Sequence, residues 1–95
     1  MKIYISGAIT GTTDYMERFA KAEEKLEKLD YEVINPTVLD AFMPTDTTYE
    51  EYMKLDLLLL DMCDAIYMLH GWNKSCGANR EYGYAMAKDM IIMHE

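Results

Sequence analysis

Residues 2–13 read Lys2-Ile3-Tyr4-Ile5-Ser6-Gly7-Ala8-Ile9-Thr10-Gly11-Thr12-Thr13. Lys2 to Ser6 is rich in β-branched and aromatic side chains and stops at Gly7, the pattern of a buried strand. Gly7 to Thr13 is Gly, Ala, Ile and Thr, a loop composition. Thr13 or Asp14 can then cap a helix. Tyr15, Phe19, Ala22, Leu26 and Leu29 recur at spacings of four and three, one face of about four helical turns. Acids and bases alternate on the other face, which reads as solvated surface. A buried strand that passes through a Gly-containing loop into an amphipathic helix is the first half of a β-α-β crossover.

The pattern recurs along the chain. Tyr31 to Ile34 reads as a second strand, ended by Asn35-Pro36. Thr37 to Thr48 contains Pro44 with several Thr and Asp, a loop with room for one helical turn. Tyr49 to Met62 is helical, with Tyr52, Leu55, Leu59 and Met62 expected on its buried face. Ala65 to Leu69 is a third strand, Gly71 to Gly77 a loop, Ala78 to Lys88 a third helix and Met90 to Met93 a fourth strand. Strands alternating with helices predict an α/β fold in three layers over a single domain, residues 1–95. A mostly parallel sheet of four or five strands with right-handed crossovers is expected, Rossmann- or flavodoxin-like.

Composition narrows the function. The 95 residues carry 17 Asp and Glu against nine Lys and Arg, a net charge of −8, and are 51% hydrophobic. That apolar content fits a folded core. The negative charge argues against long nucleic acid, whose phosphates demand Lys and Arg, and against an anionic lipid surface. The longest apolar run is Leu57 to Leu60, too short to cross a membrane. Met1 leads directly into the first strand, so no signal peptide is expected. Cys63 and Cys76 match no CxxC or zinc spacing and read as reduced thiols in a cytoplasmic protein. His70 has no second His or Cys at ligand spacing, so no metal or other cofactor is expected. The charge is also uneven. Residues 40–64 hold seven acids against Lys54, whereas residues 65–80 hold Lys74 and Arg80 and no acid.

In open α/β sheets, ligands bind beyond the carboxyl ends of the strands. That rule selects Ser6 to Thr13, Asn35 to Thr48 and His70 to Gly77. The first and third are Gly-containing and open helices, so their N–H groups suit an anion. Neither matches GxGxxG or a Walker A loop. Glu81 lies three residues after Ala78 and four before Ala85, on or beside the small-residue face of its helix. It is either solvated at that edge or held inside near the loop mouth. Asp56 sits at the margin of an apolar stripe, and Asp64 reads as a helix-to-strand turn residue. Tyr4, central in its strand, is a core residue whose hydroxyl needs a partner such as a carboxylate.

Taken in order, Tyr4-Ile5-Ser6-Gly7-Ala8-Ile9-Thr10-Gly11, Leu55-Asp56-Leu57, Cys63-Asp64-Ala65 and Ser75-Cys76-Gly77-Ala78-Asn79-Arg80-Glu81 resemble the nucleoside 2-deoxyribosyltransferase superfamily, in its short branch. The resemblance implies cleavage or transfer of the N-glycosidic bond of a deoxyribonucleoside or deoxyribonucleotide. Glu81 would be the nucleophile, Tyr4 would hold its carboxylate and Asp56 would serve the leaving base with a proton. Ser6, Gly7, Ile9, Gly11, Trp72, Asn73, Ser75 and Gly77 would surround sugar and base, with Trp72 either a stacking surface or a cover on the core. Six residues before the nucleophile, superfamily members that use free nucleosides carry an acid and the 5′-monophosphate N-hydrolases a serine. Ser75 therefore implies a phosphorylated ligand. The hydrolases place an Arg in the first loop, where this sequence has Thr10. Superfamily chains run further at the C-terminus and reach a neighbouring subunit's site, which implies a homo-oligomer. A nucleotide-binding module without catalysis is the alternative.

Overall fold

The structure, a computed structural model, describes all residues from Met1 to Glu95. The elements run β1 (Lys2–Ser6), α1 (Tyr15–Glu27), β2 (Glu32–Ile34), a 3₁₀ turn (Pro36–Ala41), α2 (Tyr49–Asp61), β3 (Ala65–Met68), a second 3₁₀ turn (Trp72–Lys74), α3 (Cys76–Ala87) and β4 (Ile91–His94). The strands form one sheet in the order β2-β1-β3-β4, and every neighbouring pair is parallel. The α/β class read from the sequence is found, with four strands and no antiparallel member.

Strand alternation divides the core. Ile3 and Ile5 face one side with Ala65, Tyr67 and Leu69, where Phe19, Ala22 and Leu26 of α1 cover them. Tyr4, Ile66 and Met68 face the other side, under Leu60 of α2 and Ala78 and Ala85 of α3. From β1 the chain winds one way to β2, then back past β1 to β3 and β4. With right-handed crossovers, that reversal puts α1 on one face and α2 and α3 on the other. The winding switches direction between β1 and β3, which leaves a crevice at their carboxyl ends.

The structure corrects several expectations. Helix α1 ends at Glu27, and Asp30 in a left-handed conformation (φ 67°) turns the chain. Leu29 therefore lies beyond the helix and is 59% exposed, not on the core face. Asp14 makes no side-chain cap and instead pairs with Arg18 at 3.2 Å.

The buried face of α2 is not the expected one. Met53 and Leu60 are buried, Met62 is exposed, and Leu55 and Leu59 are half-buried. Four consecutive leucines give this helix apolar residues on every side, so pattern alone does not set its rotation. Met53, Asp56, Leu57 and Leu60 recur at helical spacing, which turns Asp56 inward with the core face. Helix α3 begins two residues earlier than expected because Ser75 caps it, accepting the Ala78 N–H at 3.1 Å. No helix is long and apolar enough to cross a membrane.

Candidate active site

Tyr4 and Ser6 are two residues apart on β1 and point to the same side of the sheet, toward α3. The small side chains of Ala78 and Ala85, both fully buried, let α3 approach that face closely. Glu81 lies between them in the helical repeat, so its side chain is driven inward. It is 5% exposed. The Tyr4 hydroxyl donates to Oε2 at 2.5 Å and the Ser6 hydroxyl donates to Oε1 at 2.6 Å. Burial pushes the Glu81 carboxyl up to about 7, against the two hydrogen bonds, which pull it down; the nearby Asp56 charge adds to the rise. Burial, followed by the Glu81 charge, holds the Tyr4 phenol well above its ordinary range.

Glu81 forms part of the wall of a cavity of about 580 Å³ at the carboxyl edge of the sheet. Gly7, Ile9 and Thr10 of the first loop line it, with Tyr15 and Phe19 of α1. The first 3₁₀ turn adds Pro36, Thr37 and Asp40, and α2 adds Tyr49, Tyr52, Met53 and Asp56. Lys74, Ser75, Cys76, Gly77 and Ala78 complete it at the start of α3. The volume is that of a small-molecule pocket, apolar and aromatic with a few convergent polar groups.

Asp56 is the second carboxyl of chemical interest. It faces this cavity, and burial followed by the Asp40 charge raises it to about 7. Near neutrality the cavity thus holds two carboxyl groups, each able to carry or lose a proton. They influence one another, so their titration belongs to the pair.

At the start of α3, Ser75 Oγ accepts the Ala78 N–H at 3.1 Å. The N–H groups of Cys76 and Gly77 precede the first intrahelical bond and make no backbone hydrogen bond. The two cations of this segment behave differently. Arg80 forms a bidentate pair with Glu50 of α2, at 2.9 and 3.1 Å, and lies 5.7 Å from the Tyr49 ring centre. Glu50 thus neutralises a charge that the sequence assigned to the loop. Lys74 lines the cavity and makes no ion pair. No three His, Cys, Asp or Glu side chains converge closely enough to hold a metal ion.

Residues 1–94 match the family described as domain of unknown function DUF4406. The chain belongs to the DUF4406 family. No curated protein matches the sequence. Among solved structures, a 2-deoxyribosyltransferase from the psychrotolerant bacterium Bacillus psychrosaccharolyticus is similar, with a TM-score of 0.79 at 19% identity. The match covers 99% of this chain and 71% of that one. This DUF4406 chain therefore shares the fold of that 2-deoxyribosyltransferase.

Within that fold the residues expected at the site are distributed as follows. Tyr4, Asp56 and Glu81 come together, and Gly7, Ile9, Ser75 and Gly77 line the cavity. Gly7 passes close to Leu69, and a Cβ there would lie 3.0 Å from the Leu69 side chain, which would have to shift. Ser6 lies behind the wall and holds Glu81 directly. Three others stand off the cavity. Gly11 occupies a left-handed turn at φ 82°. Trp72 stacks on Tyr82, with ring centres 4.6 Å apart, as a cover on the core. Asn73 uses its carbonyl to accept from the Asn79 amide at 3.0 Å.

Sequence reading missed Tyr15, Thr37, Asp40, Tyr49 and Tyr52 as cavity residues. A signal for Thr37 and Asp40 was present. Asn35 accepts from the Thr37 N–H at 3.0 Å and starts the 3₁₀ turn, in which residues three apart share a side.

Proposed function

We propose that this protein cleaves or transfers the N-glycosidic bond of 2′-deoxyribonucleosides or their 5′-monophosphates through a covalent intermediate on Glu81. The observation that carries this reading is the Glu81 carboxyl, buried in a cavity wall with Tyr4 and Ser6 each donating to one of its oxygens. A carboxylate has about four lone-pair sites. Two accepted bonds fix its orientation and leave a lone pair for attack. The 2-deoxyribosyltransferase fold likeness supports the substrate class.

In the first step, a Glu81 oxygen bonds to C1′ of the sugar as the C1′–N bond breaks. The electron pair of that bond leaves with the base, and protonated Asp56 supplies the proton the base nitrogen takes up. In the second step, water or an acceptor base attacks C1′ from the opposite side, its proton passing to the Asp56 carboxylate, as the C1′–O bond to Glu81 breaks and the Glu81 carboxylate is restored, with net retention as in a retaining glycosidase. A 5′-phosphate fits the start of α3, where Lys74, the Ser75 hydroxyl and the free N–H groups of Cys76 and Gly77 offer donors and positive charge. A second copy of the chain closing the cavity mouth, and a cytoplasmic setting for its free thiols, complete the proposal.

The test is release of free base from a panel of deoxynucleosides and deoxynucleoside monophosphates. Wild type should release base, with monophosphates preferred, and Glu81→Gln should not. Binding of nucleotide by wild type without any base release would favour the binding-module alternative. Turnover of free nucleosides with monophosphates ignored would remove the phosphate assignment alone.

A further inference from the structure

The cavity has two chemically unlike walls. On the side built by α1 and the first 3₁₀ turn, the hydroxyl protons are committed inside the protein. Thr37 Oγ1 donates to Asn35 Oδ1 at 2.7 Å, and Tyr15 Oη donates to Asp40 Oδ2 at 3.0 Å. A hydroxyl that has given its one proton can only accept, as can an ionised carboxylate. Thr37, Tyr15 and Asp40 therefore present lone pairs to the cavity, and the hydroxyls of Thr10, Tyr49 and Tyr52 lie on the adjoining lining. The wall at the start of α3 is the reverse. Ser75 accepts the Ala78 N–H and keeps its own proton to give. Lys74 and the N–H groups of Cys76 and Gly77 are donors as well.

We infer that these walls orient an unsymmetrical ligand, and that Asp40, with Thr37 and Tyr15, selects nucleobases whose edge carries an exocyclic amino group over their counterparts with a carbonyl there, in which the adjacent ring nitrogen also carries a hydrogen. An amino group donates to this wall. A carbonyl oxygen in the same place faces the lone pairs of Thr37 and Tyr15 and the Asp40 charge, and of that edge only the neighbouring ring N–H can donate to this wall. The anionic or hydroxyl end of the ligand then lies at the start of α3, which fixes the sugar between Glu81 and Asp56. The inference rests on the nucleotide reading above and adds which bases the site takes.

Two matched pairs of ligands test it: 2′-deoxyadenosine against 2′-deoxyinosine 5′-monophosphate, and 2′-deoxycytidine against 2′-deoxyuridine 5′-monophosphate. Dissociation constants are measured by calorimetry in a Glu81→Gln background, which stops turnover. The amino member of each pair should bind about tenfold tighter, the loss expected for one unmade hydrogen bond. Adding Asp40→Asn should erase or invert that preference, because the amide can turn its NH₂ toward a carbonyl. Asp40 is exposed, and a thermal melt checks that the variant remains folded. Equal affinities within each pair, or a preference that Asp40→Asn leaves unchanged, would overturn the inference while wild-type base release keeps the functional reading standing. Absence of both nucleotide binding and base release would overturn the two together.

Discussion

A carboxyl group that is 5% exposed in a small domain is expected to be paired or neutral. Glu81 is poised between these states. Burial raises it to about 7, and the Tyr4 and Ser6 hydroxyls restrain that rise. Removing one donor should tip the balance. Tyr4→Phe is expected to push the Glu81 pKa higher, move the acid limb of the pH–rate profile upward and lower kcat by about tenfold to a hundredfold. A rate and profile matching wild type would show that Tyr4 only fills space. Because Glu81 must be ionised to attack and Asp56 protonated to donate, activity should peak near pH 7, where the pair shares one proton. Asp56→Asn should remove the alkaline limb and cost about 10²–10⁴ in rate, less for bases that leave unaided. Steady-state profiles of the two variants check both statements. Helix position left Glu81 either solvated or inside, and its contact with Tyr4 was implied only by the family resemblance. Ser6 has the same parity as Tyr4, yet a serine beside a glycine loop reads as a ligand contact. Its bond to Glu81 emerges only when α3 is seen to lie over β1.

At the scale of elements, α2 shows where sequence patterning fails. Leu57 to Leu60 offers an apolar side chain in every direction, so the helix can be rotated without changing its apparent amphipathicity. Packing on the sheet decides, and it buries Met53 and Leu60 and turns Asp56 inward. The start of α2 was better marked. Thr48 and Glu51 form a capping box, with the Glu51 N–H donating to Thr48 Oγ1 at 3.1 Å and the Thr48 N–H to Glu51 Oε1 at 2.8 Å. Thr48→Ala is expected to cost about 1 kcal/mol in urea unfolding and to loosen Tyr49 and Tyr52 at the cavity. An unchanged midpoint would mean that α2 is held by packing alone. Of the two readings the sequence left open for Trp72, the structure places it as a cover on the core. The short 3₁₀ turn at Trp72–Lys74 aims its ring onto Tyr82 of α3, away from the cavity side of the same loop.

For the whole molecule, the net charge of −8 hides an internal arrangement that segment charges only partly reveal. The cation-rich segment at the start of α3 keeps Lys74 for the cavity, while Arg80 is taken by Glu50, thirty positions earlier in the chain. The alternation of strands and helices was enough to select the loops at the carboxyl ends of the strands, and the strand order then places the crevice between β1 and β3. The far wall was legible only as the loop from Asn35 to Thr48, since Asp40 and Thr37 come from a stretch without helical or strand periodicity to single them out.

The buried acids also set how stability responds to pH. In the unfolded chain Glu81 and Asp56 lose their protons near pH 4, and in the folded protein near 7. Between those values the native state holds more protons, so stability falls as pH rises through this window and levels off above about 7. Urea midpoints should decline from pH 5 to pH 7.5, and the double variant Glu81→Gln, Asp56→Asn should flatten that slope. A midpoint that climbs over the same range would contradict the burial of these acids.

The central claim is that Glu81 becomes covalently bonded to the sugar. Intact-mass and peptide mass spectrometry of protein quenched during turnover of a deoxynucleoside monophosphate tests it most directly. The expected result is a mass gain equal to a deoxyribosyl phosphate on the peptide containing Glu81, absent from Glu81→Gln. Base release at an undiminished rate by Glu81→Gln, or an adduct mapped to another residue, would contradict it.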